Sequence, residues 1–396
     1  MRKLQVTLPA NREPWLIPTA SRISLAYRAL QQGKRLCLMV YDHADTSTFR
    51  YRCYNMQQWT EQSSAWQAVY FYSAEINTVF DLLPRSSLLI LARLQWYHAV
   101  DLLIHKAHAQ GISVLYDTDD YIVDLDILPT LTNSTDVDFS APGQYEYWFS
   151  YISRNGYTAG KTDGFITTND YLGQKLKNKF GKPYRVITNS LNREQLEVSQ
   201  RCRAEKERQR DGGDMTLGYF SGSPSHNHDL ELIASELAAF LGAHKNASLR
   251  VVGFMQFPAA LQPFIRNKQI VFSPLTDFLS LQTLTAAVDV NIVPLLDNGF
   301  TNCKSELKYF EAGAVDTVTA ATPTYVFTKC IHPGGNGFLC RPGEWFDTLE
   351  SLYRRKNELK SIADAARRDS LERYSGANFI RSIEQTYDDF TKDISD

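Results

Sequence analysis

Apolar residues recur along the chain in short unbroken runs, separated by stretches with helical spacing. RLCLMVY (35–41), AVYFY (68–72), SLLILA (87–92), ISVLY (112–116), GFITT (164–168) and YRVIT (184–188) have the length and composition of buried strands. Between several of them lie amphipathic segments such as HAVDLLIHKAHAQ (98–110), followed by Gly111, a residue suited to a helix C-terminus. Continuous rather than alternating apolar runs predict a parallel sheet covered by helices on both faces. A charged stretch, REQLEVSQRCRAEKERQRDGG (193–213), interrupts the pattern and reads as a partly helical linker closed by Gly212–Gly213.

The alternation then resumes. MTLGYF (215–220), SLRVVGF (248–254), QIVFS (269–273), VDVNIVP (288–294) and DTVTA (316–320) read as strands, with HDLELIASELAAFLGAH (228–244) as a helix among them. Three helical segments, roughly 343–356, 357–373 and 376–391, close the chain. The fold class expected is α/β, with two doubly wound, Rossmann-like domains facing each other across a cleft. The boundaries are an N-terminal arm or helix (1–35), a first domain (36–192), the linker (193–213), a second domain (214–375) and a last helix (376–396) packing back on the first domain.

A length of 396 residues suits two such domains. The formal net charge of −2 gives no reason to expect nucleic acid as a partner. Charge is uneven, however: residues 1–35 carry seven Lys/Arg against one acid, Glu13. Such an arm either touches an anionic membrane face or is a solvated terminus. None of the six cysteines forms a CxxC pair, so a structural zinc site is not expected and a reducing compartment fits. With no apolar leader and no run long enough to span a bilayer, the expectation is a cytoplasmic protein, with the inner membrane face as the place the basic arm would meet.

Candidate chemistry gathers where strands end, the edge at which doubly wound sheets bind ligands. LGYFSGSPSHNHDL (217–230) is a strand, a small-residue loop and a helix start. Ser221, Gly222 and Ser223 let a backbone approach a diphosphate, Ser225 or Asn227 can cap the helix, and His226 stands in the loop. The loop is neither a Walker motif nor a dinucleotide fingerprint, which disfavours a kinase or dehydrogenase. FTNCKSELKYFEAGA (300–314) follows the run VDVNIVPL and turns helical. Its spacing puts Lys304, Lys308 and Glu311 on one helical face, with Asn302 and Ser305 near the helix start. Cations there suit a phosphate, and Glu311 suits the hydroxyls of a ribose. In the first half, TSTFRYRCYN (46–55) places Arg50 and Arg52 after the first strand, toward a phosphate or anionic acceptor. Arg93 follows SLLILA, and YDTDDY supplies Asp117, Asp119 and Asp120 to orient an acceptor hydroxyl or act as base. His43 follows the first strand. YEYWFSY (145–151) suits either sugar stacking or core packing, and packing is the more common use of such a run.

KSELKYFEAGA, TPTYVF and HPGGNGFLC together resemble the nucleotide-sugar half of retaining glycosyltransferases of family four, which have the GT-B fold. Glu311-Ala312-Gly313-Ala314 matches the family's Glu-Ala-x-Ala/Gly pattern, and Asn336-Gly337-Phe338-Leu339 its "NG-apolar" turn. VITNSLN (186–192) is similar to the family's exit from its first domain. The resemblance covers most of 184–342 and, more weakly, the sheet before it. It implies a metal-independent transferase with no cofactor that moves a sugar, with retention, from a nucleoside diphosphate sugar to a glycan or lipid-linked acceptor. Bacterial polysaccharide or glycolipid assembly is the implied setting. Glu311 would bind the ribose, and Lys304 or Lys308 would act with the 221–223 loop on the diphosphate. Two departures stand out. The family usually carries a second Glu eight residues ahead of the first, where this chain has Cys303. Its basic pair after the first strand of the second domain is replaced by SPSHNHD. Alternatives left open are an epimerase or hydrolase of the same fold and a non-catalytic sugar-nucleotide-binding subunit.

Overall fold

Each apolar run of the first half forms a strand whose side chains pack on both faces of one sheet. The computed structural model describes residues 3–134, 138–209, 214–222 and 227–392. β1 (Arg35–Tyr41), β2 (Trp66–Tyr72), β3 (Leu88–Ala92), β4 (Ser113–Thr118), β5 (Gly164–Thr167) and β6 (Tyr184–Val186) pair in parallel in the order β2-β1-β3-β4-β5-β6. β7 (Met215–Ser221), β8 (Ala247–Gly253), β9 (Ile270–Ser273), β10 (Val290–Val293), β11 (Val318–Ala321) and β12 (Phe338–Leu339) form a second parallel sheet, ordered β12-β11-β10-β7-β8-β9. Separate apolar clusters fill the space above and below the first sheet, centred on residues such as Leu38 and Val114 on one face and Met39 and Leu115 on the other. The second sheet is covered likewise.

Strand order reverses between β1 and β3 in the first sheet and between β7 and β10 in the second. Those reversals open the crevices in which such folds hold ligands. The loops that end β1, β3, β7 and β10 are the ones that carry Arg50, Arg93, Ser221 and Lys304.

The chain crosses between domains at 187–192, and this crossing is stitched down. Arg52 Nη1 donates to the Ile187 carbonyl at 2.8 Å, Asn55 Nδ2 to the Ser190 carbonyl at 2.7 Å, and Trp59 Nε1 to the Leu191 carbonyl at 2.9 Å. The return crossing touches it, with the Leu191 amide on the Tyr374 carbonyl at 3.0 Å.

Three expectations change. Residues 193–208 are not a linker but a helix, Arg193–Arg208, opened by a capping box between Asn192 and Gln195. It packs on the helix Phe278–Ala286, where Gln282 donates to Ser199 at 2.9 Å, and so belongs to the protein body. The helix expected over 228–244 is two, Asn227–Glu231 and Ala234–Ala243. The arm is packed rather than loose: Trp15 is buried against Tyr54 and Phe278, and Arg22 is buried with both terminal guanidinium nitrogens on Glu75. Arg12 and Arg35 pair with Asp277 and Asp388, so local partners take up much of the arm's charge. The last helix, Gly376–Lys392, lies against the first domain: Tyr387 packs on Trp66, Phe379 on Trp59, and Glu384 accepts from Ser63. No described helix is long and apolar enough to cross a membrane.

Candidate active site

After β10 the chain makes a 3-10 turn, Thr301–Cys303, runs extended through Lys304, and only then enters the helix Leu307–Gly313. Asn169 of the first domain causes the break, because its Nδ2 bridges the Cys303 and Lys304 carbonyls at 3.0 and 3.1 Å. Lys304 therefore does not share a helical face with Lys308 and Glu311, which is a correction to the spacing argument. It reaches across the cleft instead, with Nζ 4.0 Å from Asp120 Oδ1. Ser305 also faces the first domain, accepting from Asn189 Nδ2 at 2.9 Å. Asn302 is structural: it donates to Asp297 at 2.8 Å and accepts from the Tyr325 amide at 2.6 Å, fixing the start of the next helix.

Lys308 and Glu311 stay together on the short helix. Lys308 is half-buried over the Tyr219 ring and has no ion pair among the described residues. Burial lowers its pKa to about 8, with Lys304 adding to that and Asp229 and Glu311 opposing it. Glu311 has one oxygen gripped from three sides. Oε1 accepts from Tyr51 Oη at 2.5 Å, Gln195 Nε2 at 2.7 Å and Arg50 Nη2 at 3.5 Å. Oε2 has no hydrogen-bond partner among the described residues, so one acceptor remains for a ligand.

Arg50 lies in a π-helical turn, Arg50–Tyr54, that leads directly into the helix Asn55–Thr60. Such wide turns reorient side chains and are frequent at functional sites. Arg50 is buried and donates to Thr46, Gln195 and Glu311, so in this structure it supports the carboxylate. Arg52 is fully buried in a two-pronged pair with Asp117, both contacts 2.8 Å. Burial pushes the Asp117 carboxyl up and Arg52 draws it back toward the ionised form. Arg52 and Asp117 are thus removed from the cleft, one as a phosphate ligand and the other as a base, because each is spent on the other.

Arg93 does face the cleft. Its backbone takes a left-handed conformation, φ 43°, at the end of β3. Nη1 donates to Thr48 Oγ1 at 2.7 Å and Asp119 at 3.1 Å, Nη2 to Tyr151 Oη at 3.1 Å, and Asp120 lies 3.7 Å away. Asp119 also accepts from Thr48 at 3.0 Å. Asp117 and Asp119 have different partners and do not converge on a shared point. His43 is largely exposed beside Asp42 and joins none of these groups.

On the second sheet Ser221 ends β7 and is buried, and Gly222 follows it, exposed, with open space where a side chain would stand. Gly253, φ +109°, must be glycine, since a Cβ there would lie 1.7 Å from the Ser221 carbonyl oxygen. Ser223, Ser225 and His226 lie outside the described residues, as do the side chain of Asn227 and Gly212–Gly213. Cys303 is wholly buried among residues of the first domain's core. Burial raises its thiol to about 12, so it offers no charge to the cleft.

The contacts to Glu311 come largely from residues that composition and spacing passed over. Tyr51 sits between the two arginines singled out, and Gln195 lies in the stretch read as linker. The one available signal was the N-x-x-Q capping box at 192–195.

No protein-family model matches the chain, and no curated protein matches it by sequence. Solved structures do match. HepE from Anabaena, in complex with UDP, superposes over 90% of this chain and 100% of its own with a TM-score of 0.59 at 12% identity. Sucrose-phosphate synthase from Thermosynechococcus elongatus covers 91% and 100% at 0.58 and 12%. A glycosyltransferase from Rickettsia africae covers 91% and 99% at 0.60 and 11%.

The fold is GT-B. In GT-B terms, Lys308, Glu311 and the 221–222 edge lie on the second domain's face of the cleft, and Arg93, Asp119 and Asp120 on the first domain's. Tyr51 and Asn169 reach across from the first domain, while Gln195 enters from the helix that follows the crossing.

Proposed function

We propose that the protein is a glycosyltransferase that moves a sugar from a nucleoside diphosphate sugar to an acceptor hydroxyl. The observation that carries this reading is the Lys308–Glu311 pair at the carboxyl edge of the second sheet. Among the described residues, a cation without an ion pair stands beside a carboxylate with one oxygen already fixed and the other without a hydrogen-bond partner. Glu311 Oε2 accepts from a ribose hydroxyl, and Lys308 meets the diphosphate where charge grows as the anomeric C–O bond breaks. The acceptor oxygen bonds to the anomeric carbon from the Arg93–Asp119–Asp120 side as the diphosphate leaves, and the acceptor's proton passes to the departing diphosphate oxygen. Catalysis rests on positioning and on charge stabilisation of the leaving diphosphate.

Retention, metal independence and a role in polysaccharide or glycolipid assembly are parts of the proposal supported by the family-four resemblance. The neighbour HepE was crystallised with UDP and with UDP and glucose, which makes UDP-glucose the first donor to try. The test is thermal shift with UDP, GDP, ADP and dTDP, followed by transfer assays with and without chelator. One nucleotide should raise the melting temperature of the wild type. Glu311→Ala and Lys308→Met should each lose most of that shift and at least tenfold in kcat/KM. A variant pair that binds and transfers like wild type sinks the site assignment. Nucleotide binding with no transfer to any acceptor favours the non-catalytic reading, and donor turnover without acceptor favours a hydrolase or epimerase.

A further inference from the structure

β2 is an edge strand, and side chains rather than another strand satisfy its outer side. The Trp66, Ala68 and Tyr70 amides donate to Ser63 Oγ at 2.9 Å, Thr60 Oγ1 at 2.9 Å and Gln57 Oε1 at 3.4 Å. The Ala68 and Tyr70 carbonyls accept from Gln67 Nε2 at 2.9 Å and Arg22 Nη1 at 2.8 Å. Beside this covered edge, between the helices Thr19–Gln31 and Asn55–Thr60, lies a cavity of about 370 Å³. Lys34, just ahead of β1, and Gln67, near the start of β2, both line it, so it lies toward the amino ends of the strands and away from the cleft. The polar groups left over in it are donors. Gln57 is 2% exposed, and with Oε1 taken by Tyr70 its Nε2 has no hydrogen-bond partner among the described residues. Arg28 lines the cavity with no ion pair among the described residues. Lys34 Nζ is held only by the Glu61 carbonyl at 3.1 Å. The other lining charges are spent: Arg22 on Glu75, and Glu61 on Arg193 at 3.1 Å.

We infer that this cavity is a second ligand site, separate from the cleft, that binds a small phosphomonoester. Arg28 and Lys34 hold the phosphate, Gln57 Nε2 donates to an oxygen of the ligand, and Ile17, Leu25 and Ala29 give its carbon skeleton an apolar wall. Two cations and an amide donor, with no free acid beside them, call for an oxyanion. A phosphomonoester carries about −1.5 to −2 charge near pH 7 and three acceptor oxygens, which matches two cations better than a single carboxylate does. The volume is that of a small-molecule site. A peptide added as a further strand does not fit, because the outer amides and carbonyls of β2 are already bonded to side chains. None of the groups assigned to the sugar nucleotide lines this cavity, so the inference does not rest on the transferase reading.

The test titrates the full-length protein with glucose 6-phosphate and glycerol 3-phosphate, and with glucose, gluconate and inorganic phosphate as comparisons, by calorimetry and phosphorus NMR. At least one ester should bind, and the three comparison compounds should each bind at least tenfold more weakly. Arg28→Glu and Lys34→Glu should each weaken the ester about tenfold or more, and Gln57→Met about threefold. Arg28 is exposed, so its variant decides the matter even if Gln57→Met fails to fold. Lys308→Met should bind the ester like wild type, and UDP should not displace it, which separates this site from the donor site. If UDP does not bind while the ester does, the transferase reading fails and the second site stands. The inference is overturned if neither ester binds the wild type, or if both charge-reversal variants bind as well as it does. It is equally overturned if inorganic phosphate or gluconate binds as tightly as the esters, or if UDP displaces the ester and Lys308→Met loses it.

Discussion

Lys308 is the residue whose surroundings make the sharpest prediction. Its pKa of about 8 in the folded protein lies below the ordinary 10.5, because burial disfavours the charged form. Between those two values the unfolded chain binds more protons, so folding stability rises with pH across that window, and the cost of holding the charge is complete below it. A diphosphate needs the charged form. UDP affinity should therefore fall as pH rises through about 8, and titration calorimetry on Lys308→Met should show that dependence gone. Arg52 makes a prediction of the opposite kind. Truncating it strands Asp117 in the core, so Arg52→Ala should cost about 3–5 kcal/mol in urea unfolding. Replacing both partners with apolar residues should recover much of it. The sequence allowed the types of these residues to be picked out but not their partners, since pairing across residues 52 and 117 is a property of the fold.

At the level of elements, a π-helical turn and a capped helix meet on one carboxylate. The turn delivers Arg50 and Tyr51, and the Arg193–Arg208 helix delivers Gln195, whose Oε1 accepts from both Asn192 and Arg50 while Nε2 donates to Glu311. In the proposed reaction Gln195 is a positioning residue that acts through Glu311. Gln195→Leu should raise KM for the donor several-fold with a smaller change in kcat, and Gln195→Glu should do worse by setting two carboxylates together. Equal donor KM values for wild type and Gln195→Leu would remove it from the site. The strands were legible because parallel-sheet strands buried on both faces are continuous apolar runs. The short helix Leu307–Gly313 was misjudged at its start because Asn169, from another domain, holds the preceding carbonyls.

Across the whole molecule, segments from both ends of the chain tie the two domains. Trp15 sits between Tyr54 of the first domain and Phe278 of the second, and its carbonyl accepts from Tyr70 at 2.6 Å. Arg201 reaches the Thr7 carbonyl at 2.9 Å, so the arm follows the Arg193–Arg208 helix. Trp15→Ala should cost about 3–5 kcal/mol and, if the strap couples the domains, split calorimetric unfolding into two transitions. A single transition at lower temperature would show that the arm stabilises without coupling. The seven basic residues of 1–35 suggested a membrane contact from composition alone. Composition cannot show that Arg22 and Glu75 are neighbours in space, and this pairing removes one of the arm's strongest charges from solvent.

By itself the sequence determined the two parallel sheets, because period and run length act locally. It also determined that Glu311 and Lys308 travel together, since residues three apart on one helix share a face. Only the tertiary structure decided which charges are free. Arg52, Asp117 and Arg50 are consumed by partners distant in the chain, Lys304 crosses to the first domain, and Cys303 is sealed in that domain's core. The same holds for YEYWFSY, where packing was the ordinary expectation and exposure of three rings is what the fold decided. The reason is physical: a side chain's chemistry depends on solvent and on its nearest opposite charge, and both are set by segments that the local pattern does not reach.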